Sequence, residues 1–242
     1  MKISLIIPMY NESAIIADAV KTFSSYMEKR FEDWELIFVD DGSADGCGDV
    51  VAAASEKDSR IRLCRYTPNR GKGHAVRTGV LAAEGDIILF TDCDNAYGED
   101  AVGNLADAIE ESGADIVVGS RNLSKDGYDG YTFLRKLASK TYIKVIALAA
   151  GFKLTDSQCG CKAFRADVAK VLFSKAKVDG FAFDFEIILR AQKARIKIIE
   201  MPVKIINHRE SKIHVVRDTA RMLRDLLKIK KDIKKESRAK KD

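Results

Sequence analysis

The chain has 242 residues, of which 46% are hydrophobic and 32% are charged, and its formal net charge is +5. This length and composition are typical of a soluble globular enzyme with one large core, which excludes a mainly disordered chain. Five scattered cysteines fit neither a disulfide framework nor a two-pair zinc site, so we expect a reducing, cytoplasmic setting.

The excess basic charge lies at the C-terminus. Residues 228–242 hold eight Lys or Arg and three Asp or Glu, a surplus of five, so residues 1–227 balance to zero. Because the excess basic charge is confined to this tail, we do not expect nucleic acid as a partner. The best apolar stretch, residues 143–152, contains a lysine and is shorter than the roughly 18–20 residues of a transmembrane helix. We therefore expect no membrane span, and we interpret the N-terminal MKISLIIPMY as a first strand and not a signal peptide.

Short apolar runs rich in Ile and Val alternate with segments of helical spacing in the first half of the chain. The runs predict strands, and the spacing predicts helices between them. The predicted strands are 3–8, 35–40, 61–66, 86–92 and 114–120, and the predicted helices are 15–27, 74–84 and 100–112. This alternation indicates an α/β fold with a mostly parallel sheet flanked by helices.

The second half follows a different rhythm. Its pattern predicts a helix over 133–150, a return segment over 159–166, a helix over 183–194, a strand over 197–209 and an amphipathic basic helix from 214 to about 231. No linker rich in Pro, Gly or Ser interrupts the chain. We expect one domain over residues 1–212, followed by a C-terminal helix and tail over 213–242.

Four polar clusters follow apolar runs: PMYNE at 8–12, VDDGS at 39–43, FTDCDNA at 90–96 and VGSR at 118–121. In open α/β sheets, ligands bind at the carboxyl ends of the strands. Asp92 and Asp94 flank one residue, a spacing that brings carboxylate oxygens to a hard cation such as Mg²⁺ or Mn²⁺. Such a cation would stabilise charge on a departing diphosphate. A solvated turn is the alternative interpretation of the triplet.

Asp40 and Asp41 end the second predicted strand, where a carboxylate can accept hydrogen bonds from a nucleobase or a ribose. The alternative is that they and Ser43 cap the helix that follows, and both roles can coexist, with Asp41 facing the ligand and Ser43 capping. The segment NRGKG (69–73) adds two glycines for close backbone approach, with Arg70 and Lys72 to meet phosphate.

These motifs, in order and spacing, resemble family 2 glycosyltransferases with the GT-A fold, and specifically the polyprenyl-phosphate sugar synthases, which include dolichyl-phosphate mannose and glucose synthases. The likeness covers residues 3–212. It implies metal binding by Asp92 and Asp94, although Cys93 replaces the usual Ala between them. The implied nucleotide contacts are Pro8, Tyr10, Asn11, Glu12, Asp40 and Asp41.

The same resemblance assigns an acceptor-phosphate site. Arg121, Arg135 and Ser139 match the family's phosphate-binding positions, and guanidinium groups suit a phosphate monoester because they donate in a planar, bidentate geometry. Ordinary solvated helix residues are the alternative for Arg135. The segment NHRESK (207–212) resembles the Arg-x-x-Ser-Lys element of the family, which implies diphosphate or acceptor contacts. These contacts would come from Arg209, Ser211 and Lys212.

Residues 156–164 (DSQCGCKAF) resemble an element of the dolichyl-phosphate glucose synthases, with Cys161 in place of the more usual Phe. The resemblance favours UDP-glucose over GDP-mannose and implies that Asp156 and Gln158 line the sugar pocket. Cys159 and Cys161 alone lack the partners of a tetrahedral zinc site, so we expect them to be buried.

The predicted activity is metal-dependent, inverting transfer of a hexose from UDP-glucose or GDP-mannose to a polyprenyl phosphate, with Asp94, Arg121 and Arg209 acting in the catalytic step. A phosphate acceptor is already ionised and needs no general base. One alternative is a transferase that acts on a soluble or polysaccharide hydroxyl, for which Asp184 or Glu186 is the candidate base. The other is a nucleotide-binding module without turnover.

Two amphipathic segments predict peripheral association with the cytosolic face of a membrane. Residues 131–152 mix aromatic and aliphatic residues with lysines, and the C-terminal helix places apolar residues among basic ones. The Lys-rich tail would be attracted to anionic headgroups. The alternative is that both apolar stripes pack on the sheet. A membrane-embedded protein is a further candidate partner.

Overall fold

A seven-stranded sheet organises the computed structural model, which describes residues 1–128, 143, 148, 150–151, 153–207 and 215–238. The strand order is β3-β2-β1-β4-β6-β5-β7, and β6 alone runs antiparallel to its neighbours. The strands are β1 Lys2–Met9, β2 Asp33–Asp41, β3 Ile61–Tyr66, β4 Ile87–Phe90, β5 Ile116–Ser120, β6 Lys162–Arg165 and β7 Ile198–Pro202. The mostly parallel α/β sheet is confirmed.

Helices cover both faces of this sheet. Those in the described part of the chain are α1 Ile16–Arg30, α2 Cys47–Ser55, α3 Lys72–Ala82, α4 Asp100–Ser112, α5 Ala166–Ser174, α6 Phe183–Lys193 and α7 Val215–Arg238. Successive strand residues point to opposite faces. In β1, therefore, Leu5 joins the core beneath α1, α2 and α4, whereas Ile6 joins the core beneath α3, α5 and α6.

The topology fixes the location of the polar clusters. β1 lies between β2 and β4 and runs parallel to both, while β5 runs antiparallel to β6, as β4 does. The carboxyl ends of β1, β2, β4 and β5 therefore meet at one edge of the sheet. This edge lies where the strand order reverses around β1, the position at which open α/β sheets bind ligands.

The structure differs from the sequence prediction at several boundaries. The predicted strand 197–209 ends at Pro202, because its partner β5 ends at Ser120, whose carbonyl accepts from the N–H of Val203 (3.1 Å). The short helix α5 was missed, and the C-terminal helix continues to Arg238. Most of the predicted helix 133–150 lies outside the described residues.

The C-terminal amphipathic helix α7 packs along α6. Leu226, Ile229 and Ile233 are buried in a cluster that also contains Phe185 and Ile188 of α6. The apolar side of α7 is therefore buried against α6. Among the described residues, no helix combines the length and apolar character that crossing a bilayer requires.

The docking of α7 can be tested with adjacent leucines. Leu226→Ala removes a fully buried side chain and is expected to lower the free energy of unfolding by about 2–5 kcal/mol. Leu227, 67% exposed, is the control, and Leu227→Ala should change stability by about 0.5 kcal/mol or less. Urea denaturation measures both, and equal effects would contradict the docked arrangement.

Candidate active site

The four polar clusters meet at the carboxyl edge of the sheet, as their positions after strands predicted. Pro8 lies near the end of β1, and the exposed Tyr10 follows it. Asp40 and Asp41 end β2, while the D-x-D triplet and Arg121 directly follow the ends of β4 and β5. The edge therefore brings together predicted site residues from four separate parts of the chain.

Asn11 joins the loops after β1 and β2. Its backbone N–H donates to Ser43 Oγ (2.9 Å), and its side-chain oxygen accepts from the N–H of Ala44 (3.0 Å). Its φ of 52° lies in the left-handed region, which Asn tolerates better than most residues. The predicted capping role of Ser43 is wrong, because α2 begins only at Cys47. The N–H of Cys47 donates to Asp45 Oδ1 (3.1 Å).

Asp41 organises the NRGKG loop. Its carboxylate accepts from the hydroxyl of Tyr66 (2.8 Å), the amide of Asn69 (2.9 Å) and the backbone N–H groups of Arg70 and Gly71 (2.8 Å each). A carboxylate has about four acceptor positions, so these bonds occupy them. Burial and the adjacent Asp41 carboxylate raise the pKa of Tyr66 and keep it a donor. In this arrangement Asp41 positions the loop.

Asp40 has no exposed surface and also serves the local structure. It accepts from the N–H of Ser43 (2.9 Å) and lies 3.1 Å from the guanidinium Nε of Arg65. A Cβ at Gly48 would fall 2.4 Å from its second oxygen, so this close helix approach requires glycine. Direct nucleotide contacts of Asp40 and Asp41 stay a prediction.

The NRGKG loop is also braced from its other side by residues 178–183. Gly71 has a φ of 105°, and a Cβ there would fall 2.7 Å from the carbonyl oxygen of Asp179. The N–H of His74 donates to the same oxygen (3.1 Å). A Cβ at Gly73 would lie 2.6 Å from the Cβ of Phe183. Contacts within the protein thus hold this loop in place.

The segment after β7 binds the D-x-D loop. The N–H of Ile206 donates to the carbonyl of Ala96 (2.8 Å), and the side-chain amide of Asn207 donates to the carbonyls of Asp94 (3.2 Å) and Asn95 (3.4 Å). The described chain therefore reaches this loop at residue 207. These contacts were not predicted, because an Asn side chain that binds backbone carbonyl groups has no recognisable sequence motif.

Lys72, the first residue of α3, forms an ion pair with Asp92 Oδ1. Burial alone would lower the pKa of this ammonium group, but three nearby carboxylates outweigh burial and raise it. They belong to Asp92, Asp184 and Asp94. The D-x-D triplet therefore already attracts a cation supplied by the chain.

The residues of this loop fit a divalent cation. Asp92 and Asp94 offer the oxygen ligands that Mg²⁺ and Mn²⁺ prefer, and the Lys72 ammonium marks a cation position beside Asp92. A Cβ at Gly160 would fall 2.1 Å from Asp92 Oδ2, so a glycine keeps that side open. Within the described ranges, no group of three or more His, Cys, Asp or Glu is arranged to hold a metal.

A buried ion pair lies behind Lys72. Lys162 of β6 is 1% exposed, and its Nζ donates to Asp184 Oδ1 (2.6 Å) and to the carbonyl of Cys159 (2.5 Å). Burial raises the pKa of Asp184, whereas Lys162 and Lys72 oppose that rise. The sequence analysis missed Lys162, although a lysine inside an apolar strand was the available signal.

Glu186, the second candidate base, is structural. Its Oε2 accepts from the backbone N–H groups of Lys177 and Val178 (2.8 Å each), and its Oε1 accepts from Arg190 Nη2 (2.7 Å). It is 2% exposed. The candidate base Glu186 is therefore engaged within the protein, since its carboxylate holds the turn before α6.

On the acceptor side, Arg121 and Asp156 form a bidentate pair. Arg121 Nε donates to Asp156 Oδ2 (2.6 Å) and Nη2 donates to Oδ1 (2.9 Å). Glu200 in turn accepts from the N–H groups of Thr155 and Asp156. Asp156 has no exposed surface, so it orients Arg121, and its contact with a sugar stays a prediction. Gln158, also predicted to line the sugar pocket, lies 3.9 Å from the sulfur of Met222 in α7.

The two cysteines of the C-x-C segment are buried and free, as predicted. Burial raises the pKa of Cys159 to about 11 and also raises that of Cys161, so both remain protonated near neutral pH. The other predicted acceptor or diphosphate contacts lie outside the described residues: Arg135, Ser139, Arg209, Ser211 and Lys212.

The buried pair can be tested by a double-mutant cycle. Lys162→Met leaves the Asp184 carboxylate buried without its cation and should lower the free energy of unfolding by about 3–5 kcal/mol. Adding Asp184→Asn should recover much of the loss in urea denaturation. Lys175→Met, at an exposed position, is the control. A double variant as unstable as the sum of the two single variants would show that the pair is not coupled.

Comparisons with known proteins agree with this architecture. The family model "Glycosyl transferase family 2" matches residues 4–173. A dolichyl-phosphate beta-glucosyltransferase of Trichomonas vaginalis is 32% identical over 237 residues, which are 94% of this chain and 72% of that protein. The corresponding enzyme of Homo sapiens is 30% identical over 242 residues, covering 95% of this chain and 75% of that protein. The resemblance predicted from the motifs is confirmed.

Among solved structures, a similar fold occurs in glucosyl-3-phosphoglycerate synthase from Mycobacterium tuberculosis, crystallised with Mn²⁺, uridine diphosphate and glucosyl-3-phosphoglycerate. The TM-score is 0.68 at 20% identity, with 94% of this chain and 78% of that chain covered. At this identity the comparison shows the fold. The family model and the sequence relatives identify the chain as a glycosyltransferase that belongs to glycosyl transferase family 2.

Proposed function

We propose that this glycosyltransferase moves glucose from UDP-glucose to dolichyl phosphate or a similar polyprenyl phosphate. The observation that carries the proposal is that both candidate bases are engaged inside the protein, Asp184 with Lys162 and Glu186 with Arg190. An acceptor hydroxyl would need a base, whereas a phosphate oxygen is already ionised. The names of the sequence relatives support the same acceptor and sugar.

The donor half of the site would bind the nucleotide diphosphate. The D-x-D pair, Asp92 and Asp94, would hold Mg²⁺ or Mn²⁺, and the bound ion would neutralise charge on the departing diphosphate. Lys72 lies beside Asp92 and can contact the diphosphate. Asp41 would contribute by holding the backbone of Arg70 and Gly71 in place. The structures of similar fold that contain Mn²⁺ or Mg²⁺ with uridine diphosphate support this assignment.

The acceptor half would orient a phosphate monoester. Arg121, held by Asp156, would place an ionised phosphate oxygen opposite the diphosphate. That oxygen forms the new bond to the anomeric carbon as the old carbon–oxygen bond breaks, and the electron pair leaves with the nucleotide. Inversion follows, and no proton has to be removed from the acceptor. The further proposed contacts are Arg135, Ser139, Arg209 and Lys212.

We place this reaction at the cytosolic face of a membrane, with the chain associated peripherally. Residues 1–212 would form the transferase domain and residues 213–242 an appendage. A family 2 transferase acting on a soluble or polysaccharide hydroxyl is the second candidate. It would require a carboxylate other than Glu186, whose oxygens are already engaged by N–H donors.

The activity is tested with radiolabelled UDP-glucose, Mn²⁺ and dolichyl phosphate. We expect label to be extracted into organic solvent, and Asp94→Asn should reduce its formation by about 100-fold or more, the typical effect of losing one electrostatic contact to a transition state. Asp33→Asn, at the opposite end of β2, is the control. With a soluble sugar or polysaccharide supplied as acceptor, a labelled aqueous product separated from UDP-glucose and free glucose by chromatography would support the hydroxyl acceptor. A loss of chemistry in Asp184→Asn with acceptor binding intact would identify Asp184 as a base.

The cation position next to Asp92 allows a test without turnover. Lys72→Met removes the ammonium group that a divalent ion must displace, so the nucleotide-free protein should bind Mn²⁺ about five-fold more tightly, which corresponds to about 1 kcal/mol. Electron paramagnetic resonance of free Mn²⁺ measures this affinity. Lys57→Met, at an exposed site, should leave it unchanged. Weaker Mn²⁺ binding in Lys72→Met would show that Lys72 and the ion do not compete.

A further inference from the structure

The outward face of α7 carries almost only basic side chains. Between residues 222 and 236, the exposed side chains are Arg224, Leu227, Lys228, Lys230, Lys231, Lys234 and Lys235. The acidic residues of the same segment, Asp225, Asp232 and Glu236, are all partly buried. The segregation leaves no exposed carboxylate on this face within the described part of the helix.

Four of these cations form one row. Arg224, Lys228, Lys231 and Lys235 follow one another at spacings of four, three and four residues. Because neighbours three or four apart lie on one side of a helix, they occupy a sector of roughly 60° and a length of about 17 Å. We name these four residues the basic stripe. The buried Leu226, Ile229 and Ile233 lie on the opposite side of the helix.

The docking of α7 fixes the direction in which the basic stripe points. Glu236 accepts from Arg190 Nη1 and from Lys177 Nζ (2.7 Å each), and Lys193 Nζ donates to the carbonyl of Ile233 (2.8 Å). With the apolar side already packed on α6, the helix can present only its basic side. Of the two interpretations of the apolar side of this helix, membrane association and packing within the protein, the contacts with α6 favour the second.

We propose that the basic stripe is an electrostatic docking surface for an anionic lipid membrane, an inference that rests on the proposed lipid-phosphate acceptor. A straight, exposed row of Lys and Arg is complementary to a plane of negative headgroups, and each added basic residue strengthens such binding by about five-fold. Residues 215–238 contain no aromatic residue, so stacking of nucleic-acid bases receives no support from this helix.

The location of the stripe links membrane docking to the acceptor half of the site. Met222, two residues before the stripe begins, contacts Gln158, and Asp156 on the same loop holds Arg121. Met222 lies on the same side of α7 as Leu226, so a membrane held by the stripe would lie across the helix, about 10–12 Å away, from the loop that orients the proposed phosphate-binding arginine. Docking would raise the local concentration of a lipid acceptor without adding an apolar anchor.

The test compares two triple variants with equal loss of charge. Lys228→Gln/Lys231→Gln/Lys235→Gln removes most of the stripe, and Lys21→Gln/Lys29→Gln/Lys57→Gln removes three exposed lysines elsewhere. Co-sedimentation uses phosphatidylcholine vesicles with and without phosphatidylserine. We expect binding only with phosphatidylserine, a decrease as salt is raised, and an affinity about 100-fold lower for the stripe variant than for the control variant. Circular dichroism and thermal denaturation verify that both variants fold.

Three outcomes would overturn the proposal: equal binding of both variants, equal binding to vesicles without phosphatidylserine, or displacement from anionic vesicles by a duplex oligonucleotide at stoichiometric concentration. Transfer to a water-soluble, short-chain polyprenyl phosphate without vesicles separates this proposal from the proposed function. The stripe variant should retain that transfer. The protein could also bind vesicles through the stripe and yet glucosylate no polyprenyl phosphate. That result would refute the acceptor assignment and leave the docking surface in place.

Discussion

The neutralisation of carboxylates at one sheet edge is the constraint on which the site depends. Parallel strands bring Asp41 and Asp92 towards the same region, and helix α6 adds Asp184. A buried carboxylate is costly unless it is paired or hydrogen-bonded. The protein meets each cost differently. Backbone N–H groups and polar side chains solvate Asp41, Lys72 pairs with Asp92, and Lys162 pairs with Asp184. The positions of the loops follow from these pairings.

The same constraint separates two kinds of acidic residue at the edge. Asp40, Asp41 and Asp156 have at most 3% exposure and are bound by groups of the protein itself, so they shape the cleft. Asp92 and Asp94 remain partly exposed at the end of β4. A cation brought by a ligand would reach the exposed pair first, because the buried ones are enclosed by their donors.

Sequence reasoning located the strands and the edge because apolar runs followed by polar clusters leave a local signal. The positions of β3 and α4 were predicted to the residue, and the D-x-D loop, Asp41 and Arg121 were found at one edge. Two pairings could not be predicted: that of Arg121 with Asp156 and that of Glu186 with Arg190. Each pairing joins residues that are 35 or 4 positions apart in the sequence. Which donor reaches which carboxylate oxygen is decided by tertiary packing, and hydrophobic periodicity carries no information about it.

The hydrogen bonds of Asp41 have a consequence for how such enzymes diversify. Two of its donors are the backbone N–H groups of Arg70 and Gly71, so the loop shape does not depend on which side chain occupies position 70. Because Arg70 is also exposed, we expect its replacement to leave the scaffold intact. The side chain at this position can therefore change during evolution while the surrounding fold stays unaltered. Specificity for the sugar donor could then change without a loss of stability.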